Sequence, residues 1–142
     1  YLDSETRTYV EETGGANVLF VKADGTLVVP KSHTDSILPS STRRSLVQVA
    51  KDLGMNVEER FVEWTEVASG AFVECGLCGT AAVISPVGQI DNKVYGANEE
   101  VTFPNGKDEI GPVMKRLRET LTGIQDGALE DKHGWVCKID VD

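Results

Sequence analysis

An α/β fold built on a mixed sheet is what this 142-residue sequence predicts, and three observations carry the expectation. Short β-rich runs recur along the chain, two of them around Asp24-Gly25, the strongest short hairpin signal present. Two longer stretches, Arg43–Leu53 and Ile110–Ile124, repeat apolar residues at helical spacing. One of these helices falls between strands, as a sheet with mixed strand directions requires.

Each element has a local reason. Thr8–Glu12 reads as extended until Thr13-Gly14-Gly15 breaks it. Asn17–Lys22 and Thr26–Val29 are the hairpin arms, and Pro30 to Pro39 is a loop. Ser41 or Thr42 offers an N-cap for the helix Arg43–Leu53. That helix carries Leu46, Val47, Val49, Ala50 and Leu53 on one face and ends at Gly54. Asn56–Phe61 sets Val57 against charged neighbours as a strand does, and Trp64–Ala68 fits one helical turn. Ala71–Cys78 and Ala81–Ile90 are apolar and bounded by glycines, the pattern of buried strands. Lys93–Thr102 suggests shorter edge strands around Gly96. The second helix sets Val113, Leu117, Leu121 and Ile124 against Arg116, Arg118 and Glu119. Asp126–Asp142 is a polar tail punctuated by Gly127, Gly134 and Trp135.

This length supports one domain with a real core. A net charge of −9 and the lack of any basic stripe argue against a nucleic-acid or anionic-membrane partner. No apolar run approaches the ~20 residues of a membrane span, and the polar opening residues do not form a signal peptide. Because the chain opens on Tyr1, it reads as a piece of something longer. Cys75, Cys78 and Cys137 are an odd set, so no disulfide framework is implied. Cys75-Gly76-Leu77-Cys78 lies in a strand-like run rather than at a helix N-terminus, which favours structural thiols over a redox pair. Zinc would need two more ligands, and His33 and His133 stand at unrelated spacings. Reduced thiols make the cytoplasm the expected compartment.

Three small constellations carry chemistry. Ser40-Ser41-Thr42-Arg43 opens a helix, where unpaired N–H groups and a partial positive charge make an anion site. The same residues also describe a plain N-cap, and Arg43 can meet an anion or simply solvate the first turn. Gly79-Thr80-Ala81-Ala82 offers close backbone approach, a hydroxyl and exposed N–H groups suited to a carboxylate; a strand with a bulge at Gly79 reads equally well. Glu12 ends an extended run just before Gly14-Gly15, at a sheet rim where a carboxylate can pair with a protonated ring nitrogen or merely be solvated. The two backbone corners and Glu12 are expected to face one hollow.

Taken in order, these residues resemble the C-terminal half of a branched-chain amino-acid aminotransferase, a pyridoxal-phosphate enzyme of fold type IV. The resemblance rests on Glu12-Thr13-Gly14-Gly15-Ala16-Asn17, Asp24-Gly25, Ile37-Leu38-Pro39 with Thr42-Arg43, and Glu58-Glu59-Arg60. It continues through Cys78-Gly79-Thr80-Ala81-Ala82, Leu121-Thr122-Gly123-Ile124-Gln125 and Gly134-Trp135, and so spans nearly the whole chain. The Gly-Trp tail leans toward branched-chain enzymes over D-amino-acid aminotransferases and aminodeoxychorismate lyases.

The resemblance implies a mixed sheet or pseudo-barrel with flanking helices, residues 1–142 forming a single cofactor-cradling domain, and pyridoxal 5'-phosphate as the cofactor. It gives Glu12 to the pyridine nitrogen, the Ser41 and Thr42 amides and Thr80 hydroxyl to the phosphate, and the Thr80 and Ala81 N–H groups to the substrate carboxylate. Substrates would be amino acids and 2-oxo acids, and the full-length protein a homodimer. There are departures. The family's Schiff-base lysine, a phosphate arginine and a tyrosine lie upstream, and none of the eleven residues before Glu12 is a lysine. Ser40 and Ser41 replace the usual glycine and aliphatic residue, and Ala82 and Ser85 stand where some relatives carry a redox C-x-x-C. The chain by itself is therefore expected to have no meaningful transaminase activity.

Overall fold

A computed structural model describes residues 1–94, 98–106 and 108–139. The hairpin forms at Asp24-Gly25. Strand β1 (Asn17–Lys22) pairs antiparallel with β2 (Leu27–Pro30), Phe20 facing Val28. Gly25 closes the turn at φ +84°, a conformation glycine enters without steric cost, while Asp24 Oδ1 accepts from Thr26 N at 2.9 Å.

The chain then crosses the sheet through α1 (Ser41–Asp52) to β3 (Val57–Arg60), which runs parallel to β2. The helix begins slightly before the expected position, because Ser40 rather than Ser41 or Thr42 is the N-cap: its Oγ accepts from Arg43 N at 3.2 Å. It closes as expected, with Gly54 at φ +74°. The short helix α2 (Trp64–Ala68) leads into β4 (Phe72–Gly79), on the other side of β1, and β4 turns back into β5 (Val83–Val87). The five strands lie in the order β3-β2-β1-β4-β5, a mixed sheet as expected.

A second, two-stranded sheet joins β6 (Gln89–Asn92) to β7 (Glu99–Thr102). The edge strands expected in Lys93–Thr102 are thus one arm there and one arm earlier; Gly96 lies outside the described residues. The long apolar run Ala81–Ile90 is divided between β5 and β6 because the chain leaves the larger sheet near Gly88. The Thr8–Glu12 segment contributes isolated bridges rather than a strand: Leu2 to Val10, Tyr9 to Glu63, Glu12 to Asn17.

Alternation along β1 and β4 divides the core. Leu19, Val21 and Cys78 face α1 and the second long helix α3 (Pro112–Gln125), packing with Leu46, Ala50, Met114, Leu117 and Leu121. Val18, Phe20 and Cys75 face the other way, where Phe20 stacks on Phe72 at 4.7 Å and Val62, Val67, Val101 and Phe103 join them. The apolar face expected for this second long helix is present, with Met114 the buried residue at its start and Val113 only partly buried. Met114 lies against Gly76, where an added Cβ would stand 3.0 Å from both Met114 Sδ and Ile84 Cγ2.

Helix α3 is fastened by a buried carboxylate. Glu74 on β4 is 1% exposed and accepts from Val113 N at 3.1 Å and Met114 N at 2.9 Å, taking up amides that the helix cannot satisfy itself. An added Cβ on the N-cap Gly111 would overlap the Glu74 carboxylate and the Asn105 carbonyl oxygen. Both residues are therefore held by one contact. Glu74→Ala is expected to cost about 3 kcal/mol by stranding two buried donors, and Gly111→Ala about 2 kcal/mol by overpacking. Urea unfolding of each variant measures this; losses below about 0.5 kcal/mol contradict it.

Candidate active site

The topology gathers one end of the sheet. The start of β1, the ends of β2, β3 and β4, the start of β5 and the N-terminus of α1 all lie there, since β1 runs against both β2 and β4. Ligand clefts of α/β sheets form at such strand ends.

Glu12 stands at this rim. Its Oε2 accepts from Asn17 Nδ2 at 2.8 Å and from Leu38 N at 3.2 Å, while Oε1 has no donor among the described residues. Glu12 is thereby joined to the loop that leads into α1. At the helix start, Ser40 Oγ takes Arg43 N and Ser40 O takes Arg44 N at 3.1 Å. The N–H groups of Ser41 and Thr42 have no acceptor among the described residues, and Ser41 is exposed. Arg43 points elsewhere: its Nη2 donates to Pro30 O at 3.2 Å and stands 4.0 Å from Glu59 Oε2.

Gly79 ends β4, and Thr80, Ala81 and Ala82 form the exposed turn between β4 and β5. This is a hairpin corner rather than the bulged strand that local pattern also allowed. Val83 leaves it at φ +58°, a left-handed conformation that is strained for a β-branched residue and is found mainly where a turn has a task. An added Cβ on Gly79 would lie 4.0 Å from Gly15 O, so this corner adjoins the Glu12–Gly15 segment.

The hollow itself departs from expectation. A cavity of about 890 Å³ opens on the Phe20 face of the sheet, walled by Val18, Phe20, Leu77, Val87 and Ile90 with Trp64 at its side. Glu12 and Thr13 line it, whereas Ser41, Thr42, Thr80 and Ala81 do not. Glu12 therefore sits where the cavity meets the strand ends, and the two backbone corners flank that rim instead of lining the same cavity.

Two further carboxylates fasten the N-terminal segment that leads to Glu12. Glu11, buried, accepts hydroxyl bonds from Ser32 (2.9 Å), Thr34 (3.0 Å) and Ser36, which tie the loop before Pro39 to the segment carrying Glu12. Burial opposes its ionisation, but the hydroxyls of Ser36, Ser32 and Thr34 prevail and hold its carboxyl below the usual range. Asp3 is buried too and accepts from Thr6 N, Thr8 N and Tyr9 N at 2.6, 2.8 and 2.8 Å. There burial is again the largest influence and again loses to the donors, so its carboxyl lies far below the ordinary range. Neither role was visible in the sequence, where both are acidic residues among polar neighbours.

The C-x-x-C behaves as its strand parity requires: Cys75 belongs to one core and Cys78 to the other, and both thiols are free. Burial pushes the Cys78 thiol up to about 11 and the Cys75 thiol higher still. The Gly134-Trp135 tail folds against the far end of α1, where His133 stacks on Trp135 and its Nε2 lies 2.6 Å from Asp52 Oδ2. Among the described residues, no helix is long and apolar enough to cross a membrane.

A mixed sheet with this motif order at its strand ends defines the class. The chain belongs to the class IV aminotransferases: the family model described as amino-transferase class IV matches residues 4–90. Within that family, the relatives it matches include branched-chain-amino-acid aminotransferases. The branched-chain-amino-acid aminotransferase of Haemophilus influenzae is 43% identical over 141 residues, covering 99% of this chain and 38% of the relative. The crystal structure of the Escherichia coli branched-chain amino acid aminotransferase superposes with a TM-score of 0.74 at 34% identity, over 92% of this chain and 39% of that one. The branched-chain amino acid aminotransferase from Thermobaculum terrenum, solved in its PLP-bound holo-form, gives 0.65 at 34% identity, over 82% and 34%. The chain thus spans about two fifths of the length of the relatives it matches.

Two measurements check the site's chemistry. A thiol reagent near neutral pH is expected to modify exposed Cys137 alone in the folded chain, and all three cysteines in denaturant; rapid modification of Cys75 or Cys78 contradicts the assigned burial. Because the Asp3 and Glu11 carboxyls are depressed by folding, their contribution is complete above the unfolded carboxyl range of about 4 and is lost as pH falls through the folded values. Asp3→Asn should therefore lose more stability relative to the parent at about pH 6 than at about pH 3, measured by urea melts; an equal loss at both rejects the assignment.

Proposed function

We propose that this chain is the cofactor-cradling domain of a branched-chain amino-acid transaminase, which in its full length passes the amino group of leucine, isoleucine or valine to 2-oxoglutarate. The observation that carries the reading is Glu12, a carboxylate fixed through one oxygen by Asn17 and Leu38 while the other has no donor among the described residues. The donor set suits pyridoxal phosphate: an acceptor for a ring N–H, a helix start with two open amides for a phosphate, and a turn with a hydroxyl and further amides beside it. Bound there, the cofactor supplies an electron sink for the electrons left when the substrate α-proton departs.

The chain's own residues would hold the cofactor and the substrate carboxylate. Glu12 Oε1 accepts the pyridine N–H and keeps that proton on the ring. The Ser41 and Thr42 amides and the Thr80 hydroxyl bind the phosphate. The Thr80 and Ala81 N–H groups receive the substrate carboxylate, a task that fixed dipoles perform without reorganising. The α-proton needs a base, and two of this chain's lysines are engaged elsewhere: Lys22 is held by Glu58 at 2.8 Å and Lys51 lies 3.8 Å from Glu59. The resemblance to the family places that base on a lysine upstream, and it implies a homodimer acting on small molecules; the cytoplasmic setting is part of the same proposal.

Pyridoxamine 5'-phosphate, which needs no lysine to bind, tests the cradle through its fluorescence. The chain is expected to bind it, and Glu12→Gln to weaken it by about tenfold; equal binding by the variant, or none by the parent, overturns the reading. The chain alone is expected to form no glutamate from L-leucine and 2-oxoglutarate. In the full-length protein, preference for D-alanine over L-leucine would instead indicate a D-amino-acid aminotransferase.

A further inference from the structure

Asn17 opens β1, opposite Cys78 on β4, and is 4% exposed. Its Nδ2 donates to Glu12 Oε2 at 2.8 Å and lies 3.4 Å from Leu38 O, while its Oδ1 is fully buried without a partner among the described residues. A buried amide whose oxygen is unsatisfied costs stability relative to an apolar side chain of similar size. What the position gains from asparagine is therefore the N–H donors alone, and these converge on the carboxylate that the proposed function assigns to the ring nitrogen.

We propose that Asn17 is a positioning residue for Glu12. Together with Leu38 N it saturates Oε2, which turns Oε1 outward as the single oxygen for the ring N–H. Without the Nδ2 donor, the carboxylate pivots about its last torsion and divides its charge between orientations, only some of which meet the ring. The amide also bridges toward Leu38 O, so the loop entering α1 keeps its distance from Glu12. The inference rests on the Glu12 reading and extends it to the residue that holds that carboxylate.

The test compares the parent chain with Asn17→Leu, Asn17→Ala and Glu12→Gln, each loaded with pyridoxamine 5'-phosphate, by titrating the ring nitrogen through its absorbance. Asn17→Leu is expected to fold with a Tm at or above that of the parent, since it removes an unsatisfied buried oxygen. Its ring protonation constant should nevertheless fall about tenfold toward that of the free cofactor, while the affinity for inorganic phosphate stays within about twofold. Should Asn17→Leu not fold, the same titration of Asn17→Ala decides. An unchanged ring titration in the folded variant overturns the inference even if Tm moves. If Glu12→Gln also leaves the titration unchanged, or the parent does not bind the cofactor, the Glu12 reading falls and this inference with it. If Glu12→Gln moves the titration and the Asn17 variants do not, only the role of Asn17 is refuted.

Discussion

The register between β1 and β4 is the constraint on which the other features depend. Asn17 faces Cys78, Leu19 faces Gly76 and Val21 faces Glu74, so one antiparallel pairing fixes the start of the site, the close approach of α3 and the seat of its buried anchor. A slip by one residue would turn every β1 side chain to the opposite face. Leu19 and Val21 would leave α1 and α3, and Asn17 would leave the loop at Leu38. Both faces of these strands are buried, which makes such a slip expensive and the register unambiguous.

The two long helices on that sheet show one physical rule with opposite outcomes. Each begins with amides that lack helical partners. In α3 the buried Glu74 carboxylate takes Val113 N and Met114 N, which neutralises the positive end and excludes any other anion. In α1 the Ser40 hydroxyl takes only Arg43 N, leaving Ser41 and Thr42 open toward the strand ends. The same helix-end chemistry is thus spent on structure in one case and kept available in the other. That difference, not the presence of a helix start as such, is what singles out α1.

Local patterns were legible in the sequence, and contacts between distant positions were not. Asn17–Lys22 could be delimited because a β-rich run ends at Asp24-Gly25, and α1 because its apolar face repeats at Leu46, Val49, Ala50 and Leu53 before Gly54. The cap falls one or two residues before the expected Ser41 or Thr42 because Ser40, Ser41 and Thr42 all have the capping side chain, and only the extended backbone of Ser40 decides among them. Glu74 carries no sequence signal of its role, because its partners lie about forty positions away, beyond any periodicity. Asn17 was visible in the motif, but a hydrogen bond to Glu12 across the Thr13–Ala16 turn depends on how that turn closes. The large cavity was not foreseeable either, because its walls come from β1, β4, β5, β6 and α2, whose side chains each read simply as core.

On the proposed function, the chemistry of the rim would also let an acidic chain hold anions there. Arg43, the nearest cation in sequence to the open amides, is committed to Pro30 O and Glu59, so its guanidinium does not compete for Glu12. Were it free, its pairing with Oε1 would remove the oxygen that the proposed function needs, and would do so more strongly as the site is desolvated. Backbone amides avoid the conflict. On the proposed function they would bind phosphate and carboxylate oxygens as fixed dipoles, and they carry no net charge that could pair with the Glu12 carboxylate. On this reading the net charge of −9 is compatible with anion recognition because recognition is delegated to the main chain. The acidic side chains of the segment that leads to Glu12, Asp3 and Glu11, are in turn occupied by N–H and hydroxyl donors of their own.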